Sequence, residues 1–321
     1  MTTIYSIAAR CGVSPSTVSR AFNRPELVRR EVRARILAVA EEVGYRPNRS
    51  ARVLASGRAD AIGLLVPDIT NPFFPPVMRA IEQQAWLEDR FVVLVDTGED
   101  IDREHAAIGR LRSQVDGIIM ISSRSPSKTL RDALAGTTGV LVNRASRVLP
   151  HVIVDDSQAM NEVVETLSDL GHRDIAYISG PLDSWMNSRR LHLLTTAAEA
   201  KGIGVVVLGP YPATHEGGRR AVDGLAECGC RCAVAFDDVM ASGVLVGLAE
   251  AGYRVPDDIS VVGCDDIALS SMLHPAMSSI ASSPQELAAA ALSLLDSQTE
   301  QRSVRIASTF VRRGSTGAVP S

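Results

Sequence analysis

The 321-residue chain contains no apolar run long enough to span a membrane. No secretion signal is expected from its first residues, because Arg10 and polar residues interrupt every short apolar stretch. A cytoplasmic protein is expected. Cysteine is scarce and odd in number, five in all, which argues against a disulfide framework. Cys228, Cys230 and Cys232 lack both an adjacent histidine and the C-x-x-C spacing of a zinc site; they run into Ala233-Val234-Ala235-Phe236 and read as the start of a strand. Cys11 and Cys264 read as small buried fillers. No P-loop, G-x-G-x-x-G, G-x-S-x-G or His-rich metal spacing occurs. His172 has no clustered partners and reads as structural. The expectation is therefore no catalytic residue, no metal and no cofactor. Leucine heptads are missing after the last strand motif, so a dimer is expected rather than a coiled-coil tetramer.

What is present fits a globular chain with a sizeable core: 45% of residues are hydrophobic and 22% charged, over a length typical of two or three domains. Residues 4–23 read as two short helices around a tight turn. Ala8 lets one helix cross another closely, and Gly12 supplies the positive φ that the turn needs. Val13 and Val18 plug the space between the helices. Ser14 is a good N-cap with Pro15 in the first helical position. The second helix then presents Pro15, Ser16, Thr17 and Arg20 outward, short polar or apolar side chains plus one arginine, a set suited to base edges in a major groove. Val32, Ile36, Val39, Ala40 and Val43 predict a third helix closed by Gly44.

Charge supports this reading. Residues 1–59 hold eleven Arg, no Lys and four Glu, a net +7; since the whole chain carries −4, the remainder carries −11. A basic head on an acidic body is the footprint of a small nucleic-acid-binding domain on a separate module. The plainer alternative is a solvated basic helix, but the turn chemistry points independently to DNA. Residues 46–57, with three arginines, small residues and Leu54, read either as a linker or as a short helix that orders on DNA.

From Ala61 onward, short apolar runs alternate with amphipathic stretches. The runs are 62–66, 91–95, 117–121, 140–142, 175–178, 233–236 and 259–262; helical patterns cover 75–88, 103–113, 157–170, 185–201, 217–227 and 239–251. This alternation predicts parallel sheets covered on both faces, divided into two lobes near Asp155-Asp156, with ligand at the carboxyl ends of the strands. Polar residues fall at those ends: Asp68 to Phe74, Asn143-Arg144, Asp237-Asp238 and Asp265-Asp266, with Arg189 and Arg190 just beyond Gly180-Pro181. Carboxylates, an arginine fork and an aromatic ring suit a polyhydroxylated ligand. Acid pairs also serve glycosidases, but consecutive aspartates at a strand end usually split, one facing the cleft and one capping the next helix.

Several motifs stand in order along the chain: Ile7-Ala8-x-x-x-Gly12-Val13-Ser14-x-x-Thr17-Val18-Ser19-Arg20-x-x-Asn23, then Tyr45-x-Pro47-Asn48-x-x-Ala51-Arg52-x-Leu54, Asn71-Pro72-Phe73-Phe74, Gly171-His172-Arg173, Asp258 to Gly263, and Arg313-Gly314-Ser315-Thr316. By these motifs the chain resembles the lactose/galactose repressor (LacI/GalR) family along nearly its whole length. The resemblance implies an N-terminal all-α helix-turn-helix domain plus an α/β two-lobed effector domain like a periplasmic binding protein: residues 1–46 bind DNA, 47–59 form the hinge, and 60–321 bind effector and dimerise. The implied function is a ligand-responsive homodimeric transcription factor, a repressor on near-palindromic operators that controls genes for carbohydrates or related metabolites. Solute-binding proteins and sugar-processing enzymes are the alternatives of the same α/β fold. The implied DNA contacts are Ser14, Pro15, Ser16, Thr17, Ser19, Arg20 and Asn23, with Asn48, Arg49, Arg52 and the minor-groove lever Leu54 on the hinge. The implied effector contacts are Phe73, Phe74, Asn143, Arg190, Asp237 and Asp265, for a sugar, polyol or related metabolite.

The departures from the family pattern carry their own expectations. Arg29 stands where a helix-capping serine is usual. Leu193 replaces the glycine of Arg-x-x-Gly and adds bulk behind the cleft. Asp237 replaces an asparagine, so the cleft is expected to favour a neutral polyol or sugar over a sugar acid. Tyr211 lies near the usual aromatic position but out of register.

Overall fold

The computed structural model describes residues 3–23, 25–45, 59–297 and 303–319. Contacts divide the chain into two compact units, residues 1–59 and 60–321. Asn48, Arg49, Arg52 and Leu54 lie outside the described residues.

In the first unit, helix α1 (Ile4–Cys11) begins with a capping box: Thr3 and Ser6 each satisfy the other's free amide. Gly12, at φ 60° and ψ 36°, ends it and returns its amide to the carbonyls of Ala8 and Ala9. Ser14 Oγ accepts the Thr17 amide at 3.2 Å, and Pro15 opens α2 (Pro15–Asn23). Helix α3 (Arg30–Glu42) starts from Arg29 in an extended conformation without a side-chain cap. It is held instead by packing. Ile7, Val18, Ala21 and Ile36 are fully buried together, and Val13, Phe22, Val32 and Val39 close around them. Arg33 Nε donates to the Ala21 carbonyl at 3.3 Å and ties α3 to the second helix.

The second unit has two lobes, with elements numbered in chain order. The first lobe is a parallel sheet of β1 (Ala61–Val66), β2 (Phe91–Asp96), β3 (Gly117–Ile121), β4 (Thr138–Val142), β5 (His151–Asp155) and β11 (Ser303–Ala307), in the order β11-β5-β4-β3-β1-β2. Helices α4 (Phe74–Leu87), α5 (Ile101–Leu111), α6 (Ser127–Leu134) and α12 (Pro284–Asp296) belong to it. The second lobe has β6 (Asp174–Ile178), β7 (Gly204–Leu208), β8 (Cys232–Ala235), β9 (Ser260–Asp265), β10 (Ser278–Ala281) and β12 (Thr309–Val311), in the order β12-β10-β9-β8-β6-β7. Its helices are α7 (Ser157–Asp169), α8 (Trp185–Lys201), α9 (His215–Cys228), α10 (Asp238–Glu250) and α11 (Ala268–Met272). Central strands β1, β3 and β8 are buried on both faces, which explains their unbroken apolar runs.

The structure departs from the sequence expectation in three places. The edge strand β12 pairs antiparallel with β10. The edge strand β2 is as apolar as a central strand yet leaves Phe91 50% exposed. Among the described residues the chain passes between lobes three times, after Asp155, after Ala281 and between Ala307 and Thr309, whereas the sequence pattern marks only the first. The other two crossings were hidden because β10 and β12 are short. In β10 the buried positions are partly serine, and Ser278 and Ser279 are fully buried by hydrogen bonds rather than by hydrophobicity.

His172 is structural, as its sequence context suggested. Its Nε2 lies 3.1 Å from the Gly317 carbonyl and pins the C-terminal segment beside β9. Cys228 ends α9 and Cys232 begins β8.

Candidate functional site

A cavity of about 280 Å³ opens between the lobes of the second unit, at the carboxyl ends of the parallel strands. Phe73, Phe74, Asn143, Arg190, Asp237 and Asp265 all line it. Asn71 makes the tight turn that delivers Phe73 to the wall: its Oδ1 accepts the Phe73 amide at 3.0 Å. The two rings meet edge to face with centroids 5.2 Å apart, and Phe74 also anchors in the first lobe's core.

Arg190 enters from the second turn of α8. The start of that helix is held by Ser184 as N-cap and by Asn187, whose Oδ1 accepts from the Gly180 amide and from Tyr177 Oη, both at 2.9 Å. Arg190 is 5% exposed and its fork is fully directed: Nε donates to Asp156 at 3.1 Å, one terminal nitrogen to the Phe236 carbonyl at 2.6 Å, and the other to Asp265 at 2.6 Å. The guanidinium also lies 5.6 Å from the centre of the Phe236 ring. Arg190 thus links the crossing at Asp156 to the ends of β8 and β9. Burial pushes the Asp265 carboxyl up, the Arg190 charge opposes that rise, and Asp237 and Asp238 add to it.

Backbone strain is concentrated here. Glu99, Ser122, Asn143 and Asp265, all lining the cavity, have φ of 59°, 49°, 57° and 108°. The first three follow the ends of β2, β3 and β4, and Asp265 closes β9, so each strand ends by turning its polar residue toward the cleft.

The aspartate pair at the end of β8 does not divide as expected. Asp237 performs both functions: its Oδ1 caps α10 by accepting the Met240 amide at 2.8 Å, and the residue lines the cavity. Asp238 turns into the core instead. It accepts from Ser279 Oγ and Ser270 Oγ, each at 2.6 Å, and from the Ile267 amide at 2.9 Å. These bonds fix the 265–270 segment, and with it the strained Asp265.

In the first unit, Ser14, Ser16 and Arg20 are exposed at and along α2, while Pro15, Thr17 and Ser19 are half-buried. The Ser14 hydroxyl lies 2.7 Å from that of Ser16 and 2.9 Å from that of Thr17, so the three form one hydroxyl cluster at the start of the helix. Asn23 ends α2.

Residues 3–48 match the sequence profile of bacterial regulatory proteins of the lacI family, and residues 164–316 that of the periplasmic binding protein-like domain. Catabolite control protein A of Priestia megaterium is 32% identical over 313 residues, covering 94% of each chain. The chain belongs to the LacI family. Two solved structures are similar. The lac repressor dimer bound to operator and the anti-inducer ONPF is 26% identical, with a TM-score of 0.87 over 99% of both chains. A LacI family transcriptional regulator from Enterococcus faecium with bound ribose is 27% identical, with a TM-score of 0.71 over 81% of this chain and 100% of that one.

Several cavity residues of this LacI-family chain escaped the sequence reading: Glu99, Ser122, Arg124, Ser184, Met186 and Thr214. Arg124 pairs with Glu99 at 2.6 Å and approaches Asp183 of the other lobe at 4.0 Å. Glu99 and Arg124 follow strand ends, so the rule that singled out Asn143 also covers them. Asp156 holds Arg190, and the sequence pattern marks it only as a lobe break. Tyr211 does not line the cavity; it packs against the second lobe's core, and its neighbours Pro212 and Ala213 take the wall position.

The fully buried Asp238 sets a pH dependence. Burial pushes its carboxyl up to about 6, against the donors Ser270, Ser279 and the Ile267 amide. Between about pH 4 and pH 6 the folded protein keeps a proton that the unfolded chain has lost. Stability contributed at this site is therefore highest at low pH and is lost as pH rises through that window. The loss is on the order of 3 kcal/mol. Denaturant titrations of the wild type and Asp238→Asn should show their stability difference moving by this amount, to the wild type's disadvantage, between pH 4 and pH 7. A pH-independent difference would contradict the assignment.

Proposed function

We propose that this protein is an effector-controlled transcriptional repressor that binds a near-palindromic operator as a homodimer, in the cytoplasm and without catalysis. The observation that carries the reading is the combination, in one LacI-family chain, of an exposed Ser16/Arg20 helix face with a two-lobed body whose strained strand ends surround a buried arginine fork. Residues 1–46 read DNA, 47–59 form the hinge and 60–321 form the effector and dimer module. Within α2, Arg20 pairs with a guanine, Pro15, Ser16 and Thr17 select neighbouring bases, and Ser14, Ser19 and Asn23 complete the contact; one bidentate pair discriminates by about 1–3 kcal/mol. Asn48, Arg49, Arg52 and Leu54 take the hinge positions, with Leu54 as the minor-groove wedge.

The dimer reading is supported by the open edge of the first sheet, where Trp86 and Leu87 of α4 and Phe91, Val93 and Leu94 of β2 are all exposed and the Trp86 and Phe91 rings meet. Two copies joined there would hold two reading heads at a fixed spacing.

The effector is a small polyhydroxylated metabolite bound by Phe73, Phe74, Asn143, Arg190, Asp237 and Asp265. Relatives support the class: one similar structure holds ribose and another, from Arthrobacter sp. FB24, holds lactose. Ligand closes the lobes about the three crossings and changes how well two hinges pair, to the extent that its affinity differs between the two states.

A gel shift with purified protein and candidate operators, repeated across a panel of sugars and polyols, tests this reading; no operator binding under any condition overturns it. Leu54→Ala should weaken operator binding about ten- to hundredfold, the size of one lost buried apolar side chain. It should also remove DNA bending and leave effector binding intact. Unchanged bending in a circular-permutation assay would exclude the wedge role.

A further inference from the structure

The cleft has a surplus of carboxylates and no spare cation among the described residues that line it. Asp68, Glu99, Asp237 and Asp265 face two guanidiniums, and both of those are engaged: Arg190 with Asp156 and Asp265, Arg124 with Glu99. The helices α8, α9 and α10 open toward the cavity, which would favour an anion. Each, however, already has an amide taken by Ser184, Thr214 or Asp237.

Asp237 is the odd member of the set. It is 2% exposed and its Oδ1 caps α10, yet no salt bridge joins it to any of the described residues. A buried carboxylate without a counter-ion bears a large desolvation cost, which a ligand cation would offset. Burial accordingly pushes its carboxyl up, against the Met240 amide, Arg190 and the Asn71 side chain. On the other lobe Asn143 is 5% exposed, and its Oδ1 is buried without a hydrogen-bond partner. That atom can only accept, so it also calls for a donor. Phe73 and Phe74 line the same cavity, and aromatic rings attract a cation; the Phe236 ring already lies beside Arg190. A volume of about 280 Å³ sits at the lower end of the range of ligand pockets, suiting a single small ring or a short polyol.

We propose that the effector is an amine-bearing polyhydroxylated compound, an amino sugar or aminated polyol, whose ammonium is received by Asp237 and whose adjacent N–H or O–H is accepted by Asn143 Oδ1. The proposal rests on the reading of this cleft as the effector site.

Calorimetry on the full-length protein with matched probes tests it: glucosamine against glucose, galactosamine against galactose, Tris against pentaerythritol, with N-acetylglucosamine and glucuronate as uncharged and anionic controls. The expected result is at least tenfold tighter binding of an amine than of its neutral partner, with glucuronate not binding. Asp237→Asn, which keeps an oxygen for the Met240 amide, should remove the amine's advantage. Asn143→Leu should weaken the amine about tenfold, with thermal unfolding confirming that both variants fold. A neutral sugar binding as tightly as its amine, an advantage that survives Asp237→Asn, or no binding by any amine overturns the proposal. An amine that binds equally well to wild type and Arg190→Lys would show a different fault, that the cleft is not the effector site.

Discussion

Arg190→Ala should abolish the response of operator binding to effector and lower the stability of the body by about 3–5 kcal/mol, the usual cost of removing one partner from a buried ion pair. The size follows from the geometry. The guanidinium is the partner of Asp156 and Asp265, which are 1% and 10% exposed at the side chain, so truncation leaves two carboxylates and the Phe236 carbonyl without their donor. Operator binding itself should survive, because the reading helix folds around its own core of Ile7, Val18, Ala21 and Ile36. Arg190→Lys separates the two effects. An ammonium keeps the charge but cannot donate in three directions from one plane, so most stability should return while the effector response does not. The measurements are thermal unfolding of each variant and gel-shift titration with effector. A normal response in Arg190→Ala would remove Arg190 from the site.

The second large effect is expected at the seam between α9 and α10. A Cβ on Gly218 would lie 1.9 Å from the Met240 carbonyl oxygen, and one on Gly243 1.8 Å from that of His215. Both obstacles are backbone, so neither can swing aside. Gly218→Ala or Gly243→Ala must separate the helices and should cost about 3 kcal/mol or more, at the upper end of overpacking penalties. The seam also positions the site: Asp237 caps α10 and Thr214 caps α9, and both line the cavity. Loss of effector affinity should therefore accompany the loss of stability. Gly202→Ala provides the contrast. No atom lies within 4 Å of its Cβ position, and only its φ of 68° opposes the change, so the cost should stay near 1 kcal/mol. Chemical denaturation of the three variants checks the order, and equal costs would contradict it.

Much of the site was legible because parallel α/β lobes put function at strand ends. Asn143, Asp237 and Asp265 each stand immediately after, or at the end of, an apolar run, and the structure gathers all three around one cavity. Phe73, Phe74 and Arg190 came from motif resemblance as well as position. What could not be read was the direction of each side chain. Asp237 and Asp238 are chemically identical neighbours at the end of β8, yet one faces the cavity and the other is enclosed by Ser270, Ser279 and the Ile267 amide. That choice depends on residues some thirty to forty positions away.

The sequence by itself determined the local elements: the turn at Gly12, the cap at Ser14, the alternation of apolar strands with amphipathic helices, and the asymmetry of a basic head on an acidic body. Each of these depends on neighbouring residues or on composition, which a linear pattern carries in full. Only the tertiary structure decided that the chain crosses three times between lobes, that β2 is an exposed edge despite its apolar sequence, and that Asp156 is Arg190's partner. It also showed that Arg124 is already engaged by Glu99 and that Asn143 Oδ1 is left without a donor. These are properties of long-range pairing, and the charge balance of the cleft follows from them. An arginine counts as a free cation or as a neutralised one according to which carboxylate the fold places within 3 Å of it.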